Sequence, residues 1–160
     1  MNERLPATVI TASNRAAAGV YEDTAGPVIV KALTELGFEV TGPVVVPDGQ
    51  PLAHAIREAL DAGARAILTT GGTGLTPTDL TPEMTRPFLE REVPGVAEAI
   101  RAYGASKGVP TAALSRGLAG ISGDALIVNL PGSKGGVKDG LAVVGPLLRH
   151  AIEQIVGSDH

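Results

Sequence analysis

The stretch from Ala66 to Glu83 constrains the fold most tightly, because an apolar run there passes into a glycine-rich loop. Residues 66–70 (AILTT) are short, apolar and partly β-branched, which is typical of a buried strand. The following loop has three glycines within four positions and leads to a predicted helix start, with Thr81 as N-cap and Pro82 at the first helical position. Such a unit suits an anion, because glycine lets backbone N–H groups approach a phosphate and a helix N-terminus is electropositive.

A carboxylate, Asp79, lies at the end of this glycine loop, which we define as residues 71–79. A carboxylate repels a bare phosphate, whereas a divalent cation between the two attracts both. We therefore predict a phosphate and a metal near Asp79; the alternative is an ordinary tight turn with Asp79 on the surface. The loop is not a P-loop, because no Gly-Lys-Ser/Thr sequence closes it, and it lacks the third glycine of a dinucleotide fingerprint after Gly72 and Gly74.

The length of 160 residues and the 44% apolar composition predict one globular domain, residues 1–160. A net charge of −4 and the scarcity of aromatic residues argue against nucleic-acid and anionic-membrane partners. The lack of cysteine excludes disulfides, thiolate metal sites and cysteine nucleophiles, and it suits a cytoplasmic protein. We expect no signal peptide, since an acid and a proline interrupt the first residues, and no apolar run reaches the ~20 residues of a membrane span.

Apolar periodicity and turn residues predict alternating strands and helices. The predicted strands are 7–12, 39–46, 66–70, 114–121 and 125–130, with Gly42-Pro43 placing the second at a sheet edge and residues 122–124 forming a turn. The predicted helices run from Asp23 or Thr24 to Gly37, from 52 to 60, from Pro82 to about Arg91, from Pro94 to about Tyr103, and from 137 to 155, the last kinked at Gly145-Pro146. This order predicts an α/β fold with a mostly parallel sheet covered by helices on both faces.

Polar loops follow four of the predicted strands. They are Ser13-Asn14-Arg15, the turn at Asp48, the glycine loop, and Pro131-Gly132-Ser133. Ligands of parallel sheets bind at the carboxyl ends of the strands, and right-handed crossovers bring those ends to one rim. Taken alone, Asp48 lies in an ordinary Pro-Asp-Gly turn and Pro131-Gly132-Ser133 is equally a helix start. Their convergence on one rim is what predicts a functional site.

Other candidate groups have weaker support. Arg15 and Arg116 are expected to be solvated unless they line the rim, where either would face a phosphate. His54, His150 and His160 have no partner at metal-ligand spacing, so we interpret them as structural or solvated. The sequence has neither a Gly-x-Ser-x-Gly elbow nor a His-Glu-x-x-His motif, which leaves hydrolase and zinc-protease functions without support.

Four segments together resemble a known family. They are SNRAAAGVYEDTAGP (13–27), TTGGTGLTPTDLTPE (69–83), LSRG (114–117) and NLPGS (129–133). The sequence resembles, nearly end to end, the molybdenum-cofactor biosynthesis family of MogA-type molybdopterin adenylyltransferases and the gephyrin G domain. The resemblance implies a three-layer α/β/α sandwich, commonly a homotrimer. It also implies Mg²⁺-dependent transfer of AMP from ATP to the terminal phosphate of molybdopterin, with the product passing to the molybdate-inserting step and its protein.

The resemblance implies roles for individual residues as well. It makes Asp48 and Asp79 catalytic residues that ligate Mg²⁺. The residues implied in nucleotide and substrate binding are Thr70, Gly71, Gly72, Thr73, Gly74, Ser115, Pro131, Gly132 and Ser133. Asn14 stands where many relatives have aspartate, so we assign it no catalytic role, and Lys134 stands where proline is common. Aspartate at position 48 favours the adenylyltransferase branch over MoaB-type relatives.

The implied chemistry agrees with the residues present, because attack by a phosphate needs neither a protein nucleophile nor a strong base. Without an aromatic platform, adenine is expected near Gly132 and Ser133, with the phosphates towards residues 71–74. A non-catalytic molybdopterin-binding or scaffolding paralogue and an unrelated nucleotide or flavin binder are the alternatives. Apolar residues between Val96 and Tyr103 give weak support to the trimer.

Overall fold

The structure, a computed structural model, describes residues 4–157 and contains a six-stranded sheet. The strands are β1 (Pro6–Ala12), β2 (Glu39–Val46), β3 (Ala66–Thr70), β4 (Arg91–Glu92), β5 (Ala119–Ser122) and β6 (Ala125–Leu130). They lie in the order β2-β1-β3-β6-β5-β4. The first four strands in that order are parallel, whereas β5 is antiparallel to β6 and β4 to β5. The predicted α/β fold with a mostly parallel sheet is confirmed.

Helices pack on both faces of this sheet. They are α1 (Asn14–Ala17), α2 (Ala25–Glu35), α3 (Gln50–Asp61), α4 (Thr81–Thr85), α5 (Pro94–Ser106) and α6 (Lys134–Ile155), with 3-10 helices at Arg86–Phe88 and Pro110–Leu114. Ile67 of β3 belongs to a buried cluster with Leu52 of α3. Leu68, the next residue, belongs to a second cluster with Ile29 of α2 and Leu148 of α6. Because successive strand residues point to opposite faces, the sheet is the middle layer of an α/β/α sandwich.

The edge position predicted for β2 is confirmed, because β2 is the outermost strand on its side. The register between β1 and β2 shifts between Thr8 and Ile10, opposite Gly42 and Pro43. Proline has no N–H for the sheet ladder, and an edge strand tolerates that loss. The three strands β1, β3 and β6 at the centre are almost entirely buried.

The N-cap predicted at Thr81 is wrong, because α4 begins at Thr81 and its cap position is Leu80. The Thr81 hydroxyl donates instead to the carbonyl oxygen of Gly71, at 2.8 Å. The helix predicted to reach Arg91 is also wrong. It ends at Thr85, and the 3-10 helix and β4 follow, so the chain joins the edge of the sheet there.

The strand predicted from Leu114 begins only at Ala119. Before that point, side chains supply hydrogen bonds to the backbone N–H and C=O groups. Arg101 Nη1 donates to the carbonyls of Ser115 and Gly117. Asn129 Oδ1 accepts from the Leu118 N–H. A neighbouring strand is therefore not needed to satisfy these groups.

The other predicted elements match the structure within a few residues, including α2, α3, α5 and α6. The Asp23 carboxylate accepts from the Gly26 N–H at 3.0 Å, which makes it the capping side chain of α2. The kink at Gly145-Pro146 stays a prediction. Among residues 4–157, no helix is both long and apolar enough to cross a membrane.

Candidate functional site

The loops after β1, β3 and β6 meet at one rim of the sheet, as predicted. The Thr70 hydroxyl donates to the carbonyl of Pro131 at 2.6 Å, and the Gly71 N–H donates to the carbonyl of Leu130 at 3.3 Å. A β-carbon added at Gly132 would lie 3.2 Å from the α-carbon of Gly71. The two loops are therefore in direct backbone contact.

Two cavities open on this rim. The larger has a volume of about 660 Å³ and the smaller about 450 Å³. The predicted residues Thr73, Gly74, Ser115, Pro131 and Ser133 line only the larger cavity. Asp48, Thr70 and Gly71 line only the smaller one. Gly72, Asp79 and Gly132 line both cavities, and we call these three residues the shared wall.

The backbone at two loop positions requires glycine. Gly71 has φ +91°, and a β-carbon there would collide with the carbonyl oxygen of Ala12. Gly72 has φ +69°, and a β-carbon there would collide with the Thr81 hydroxyl and lie 3.0 Å from Asp48 Oδ1. Residues with a β-carbon rarely adopt such positive φ values. The close approach of β3 to its neighbouring loops therefore depends on this glycine pair.

Asp48 has a half-buried side chain whose Oδ1 atom is buried and has no hydrogen-bond partner among the described residues. Burial raises the pKa of the Asp48 carboxyl, and the nearby Asp79 carboxylate adds to this, against a hydrogen bond from the Asn14 backbone. Asn14 Oδ1 also accepts from the Asp48 N–H at 2.9 Å. Asn14, to which we assigned no catalytic role, therefore fixes the turn that carries Asp48.

Asp79 is the charged residue of the shared wall, and its carboxylate is held by a local turn. Its Oδ2 atom accepts from the Thr76 N–H at 3.1 Å, and its own N–H donates to the Thr76 carbonyl at 3.0 Å. A β-carbon at Gly74 would lie 2.8 Å from the same Oδ2 atom. Residues 76–79 thus form a closed turn that sets the direction of the carboxylate.

The chemistry of these two carboxylates fits a hard divalent cation. A buried carboxylate oxygen without a partner, next to a second carboxylate, is costly unless a cation compensates the charge. Within residues 4–157 no group of three or more His, Cys, Asp or Glu side chains is placed to hold a metal. Mg²⁺ commonly uses one or two carboxylates and completes its octahedron with water and phosphate oxygens. Asp48 and Asp79 together match that pattern.

Sequence reasoning missed the basic side chains of the larger cavity, which are Arg101, Lys107 and Lys138. Arg101 follows the buried Ile100 on α5, and Lys138 follows the buried Val137 on α6. A basic residue next to a buried helix position is the sequence signal for Arg101 and Lys138, whereas Lys107, the exposed C-cap of α5, has no such signal. These three cations outnumber the two aspartates that line the same cavity, Asp79 and Asp139, although the whole chain carries a net charge of −4.

Arg116, which we expected to be solvated unless it lined the rim, is not among the residues that line the two cavities, and it is bound within the protein instead. Its guanidinium donates hydrogen bonds to the carbonyls of Gly74 and Asp79 and to the Glu83 carboxylate. Arg15 is exposed and lines the smaller cavity. Lys134 is exposed and, within the described residues, lines neither of the two cavities.

Two predicted serines have structural bonds of their own. Ser133 is the N-cap of α6, and its Oγ accepts from the Gly136 N–H at 3.0 Å. Ser115 Oγ accepts from the Gly117 N–H at 3.3 Å. Among the histidines, His54 is an exposed residue of α3, His150 lies on α6, and His160 lies outside the described residues.

Residues 8–150 match the protein family described as "Probable molybdopterin binding domain". The chain is 41% identical over 155 residues to the "Molybdenum cofactor biosynthesis bifunctional protein" of Synechococcus elongatus, a match that covers 96% of this chain and 48% of that protein. It therefore spans about half the length of that relative. It is 35% identical to the "Molybdopterin adenylyltransferase" of Helicobacter pylori strain J99, covering 94% of this chain and 87% of that protein.

Among solved structures, the fold is similar to that of the molybdopterin biosynthesis Mog protein from Mycobacterium ulcerans. The TM-score is 0.90 at 49% sequence identity, and the match covers 96% of this chain and 99% of that structure. The similarity thus extends over the sheet, both helical layers and the loops of the rim.

Proposed function

The chain belongs to the family of probable molybdopterin binding domains, and from that premise we propose that it is a molybdopterin adenylyltransferase. In this reaction AMP passes from ATP to the terminal phosphate of molybdopterin, and pyrophosphate leaves. One observation carries the proposal beyond binding: Asp48 Oδ1 is buried, has no hydrogen-bond partner within residues 4–157, and lies beside the wall that both cavities share. A protein that only bound the pterin would have no need of this costly carboxylate.

The two adjoining cavities support a reaction between two substrates. We assign ATP to the larger cavity, with adenine near Gly132 and Ser133 and the phosphates towards residues 71–74. Molybdopterin then occupies the smaller cavity. The reacting phosphates meet at the shared wall, because this is the place that both cavities contact, and such placement supplies the orientation that nucleotidyl transfer needs.

Backbone and charge supply the remaining catalytic groups. The N–H groups of Gly72 and Gly74 approach the phosphates without side chains in the way, and the N-terminus of α6 adds its positive end. Arg101, Lys107 and Lys138 offset the negative charge of the nucleotide in the larger cavity. The attacking oxygen is already anionic, so no protein group has to remove its proton.

Asp48 and Asp79 are proposed to hold Mg²⁺. When bound, this cation neutralises charge on the phosphate oxygens of the nucleotide. Between metal-binding events the Asn14 side chain holds the turn of Asp48, and the 76–79 turn holds Asp79. Both carboxylates are thereby kept in place before the substrates arrive.

The same family resemblance supports a homotrimer and delivery of the product to a molybdate-inserting protein, and the lack of cysteine suits a cytoplasmic location. The apolar residues of α5 no longer add support for the trimer. Ala97 and Ile100 are buried in the core of the chain itself, and Val96 packs against that core. We keep the trimer as a proposal that rests on the resemblance alone.

The decisive experiment measures pyrophosphate release after molybdopterin, ATP and Mg²⁺ are added to the purified chain. We expect release that depends on all three additions. Molybdopterin binding without pyrophosphate release would instead indicate the scaffolding paralogue. Binding of flavin with no response to molybdopterin would indicate the unrelated nucleotide or flavin binder.

A further inference from the structure

Arg116 connects the two ends of the loop segment that carries Asp79. Its Nε donates to the Gly74 carbonyl at 2.9 Å, and its Nη2 donates to the Asp79 carbonyl at 2.7 Å. The backbone N–H of Arg116 donates to the Thr73 carbonyl at 2.8 Å. One residue, distant in sequence, therefore fixes the start and the end of this segment.

The outer side of the same guanidinium is held by a carboxylate. Nη1 and Nη2 of Arg116 donate to the two oxygens of Glu83, at 2.7 and 3.3 Å. The hydrogen bond from Arg116 lowers the pKa of the Glu83 carboxyl. Only arginine has a planar fork of donors that serves two carbonyls and a carboxylate at once, since lysine offers a single ammonium group.

Packing does not hold this segment in place. Residues 75–78 are exposed, and Leu75 retains 65% of its accessible surface. The closed 76–79 turn fixes Asp79 relative to Thr76 but contributes no bond to the rest of the domain. The orientation of the turn relative to Asp48 therefore depends on the bonds of Arg116, together with the two bonds that Thr81 donates to the carbonyls of Gly71 and Gly72.

We propose that Arg116 is a positioning residue that sets the Asp79 carboxylate against Asp48. This inference rests on the proposed function, in which the two carboxylates share a divalent cation. Arg116 touches neither the cation nor a substrate; it acts through the carbonyl of Asp79. A neighbouring ligand-supporting group of this kind typically contributes about 10- to 100-fold in metal affinity or activity.

The test uses Arg116→Lys, Arg116→Ala and Glu83→Gln in the 160-residue chain. Arg116→Lys keeps the charge and loses the fork, while Glu83→Gln leaves the bonds to the two carbonyls possible. Asp61→Asn is the matched control, because Asp61 pairs with Arg57 at 3.9 Å on an exposed surface of α3. A folded state is confirmed by thermal unfolding for each variant.

The main readout is Mn²⁺ binding in the presence of a non-hydrolysable ATP analogue, measured by electron paramagnetic resonance of free Mn²⁺. We expect the half-saturating Mn²⁺ concentration to rise about 10- to 100-fold in both Arg116 variants. It should rise less in Glu83→Gln and stay unchanged in Asp61→Asn. Millimolar guanidinium should partly restore Mn²⁺ binding to Arg116→Ala and should not restore it to Arg116→Lys.

Folded Arg116 variants with wild-type Mn²⁺ affinity would overturn the inference, and so would a wild-type chain that binds no Mn²⁺ with the analogue. An affinity loss that guanidinium does not reverse, and that follows only the loss of thermal stability, would assign Arg116 a purely structural role. The proposed function fails separately, when the wild-type chain binds Mn²⁺ and the analogue but releases no pyrophosphate from ATP and molybdopterin.

Discussion

The Asp48 carboxylate lies directly against the backbone of Gly72, since a β-carbon at Gly72 would be 3.0 Å from Asp48 Oδ1. The proposed metal ligand and the glycine loop thus occupy adjoining space with no room for a side chain between them. The absence of a β-carbon at position 72 is what lets the carboxylate reach the wall between the two cavities.

The first prediction concerns this contact. Gly72→Ala should lower turnover by about 10²-fold or more, because the added methyl group displaces Asp48 or Thr81 and one charge-stabilising group is misplaced. It should also destabilise the fold by about 1–3 kcal/mol through backbone strain. Pyrophosphate release and chemical denaturation measure the two effects.

Gly123→Ala is a matched control for Gly72→Ala. Gly123 has φ +56°, nothing lies within 4 Å of its virtual β-carbon, and it sits in the turn between β5 and β6. We expect a loss of stability with normal turnover. Normal turnover in Gly72→Ala as well would show that the wall tolerates a side chain and would count against our assignment of the site.

The second prediction concerns the two carboxylates. Asp79→Asn should lower turnover by about 10²-fold or more, because the shape is kept while the negative charge is removed. Asp48→Asn should act in the same direction, and molybdopterin binding should persist in both. Pyrophosphate release and pterin fluorescence titration are the measurements, with Asp124→Asn in the distant β5–β6 turn as control. An aspartate whose replacement leaves turnover near normal has no catalytic role.

The third prediction is a pH dependence of stability without divalent cations. The folded-state pKa of Asp48 is raised above its ordinary value of 3.8, so the folded chain binds that proton more tightly than the unfolded chain. Stability from this group is present at lower pH and is lost as pH rises from 3.8 through the raised pKa. The free energy of unfolding of Asp48→Asn, minus that of the wild type, should therefore increase as the pH rises over this range.

Added Mg²⁺ should reverse that difference near neutral pH, because the cation stabilises only the wild-type folded state. Denaturant titrations of both proteins from acid to neutral pH, with and without Mg²⁺, provide the data. Subtracting the stability curve of the wild type from that of Asp48→Asn removes the contribution of Glu83. The lowered pKa of Glu83 has the opposite effect on the pH dependence of stability. If the difference in unfolding free energy between the two proteins stays constant over this pH range, burial does not raise the pKa of Asp48.

The fourth prediction concerns the nucleotide. Ser133→Glu should weaken ATP binding, because it places a negative charge beside the phosphates. The capping bond from Gly136 to Ser133 shows that Ser133→Asp is the cleaner variant, since aspartate is also a good N-cap. Calorimetric titration with ATP should show weaker binding for both acidic variants.

Ser133→Ala separates the cap from the charge. It removes the hydroxyl that caps α6 and should cost about 1 kcal/mol of stability with little change in ATP affinity. If both acidic variants bind ATP as tightly as the wild type, the nucleotide lies elsewhere and our assignment of the larger cavity is wrong.

Local patterns were sufficient for the central strands, because β1, β3 and β6 are short, mostly apolar runs bounded by glycine, proline or polar turn residues. Long-range side-chain bonds to the backbone were not predictable. Thr81 was expected to cap a helix, yet its hydroxyl bonds to Gly71, and Arg101 holds the carbonyls before β5. No periodicity in the sequence encodes a bond between residues that only the fold brings together.

The candidate site shows the same division. The positions of Asp48 and Asp79 after parallel strands predicted that they share a rim, and they do line one cavity. The burial of Asp48 Oδ1 and the hydrogen bonds from Arg116 to the glycine loop depend on differences of a few tenths of an ångström in atomic position. Those properties follow from packing, which the sequence pattern does not specify.

The shared wall has a consequence for how this chain can change over generations. Two of its three residues are glycines, so the wall offers almost no side chain whose replacement could change substrate preference. New substrate preferences are expected to arise from residues that line only one cavity, such as Lys107 and Lys138 in the larger cavity or Tyr21 in the smaller one. Because substitutions at well-separated positions combine almost independently, the preference for one substrate can drift while that for the other is preserved.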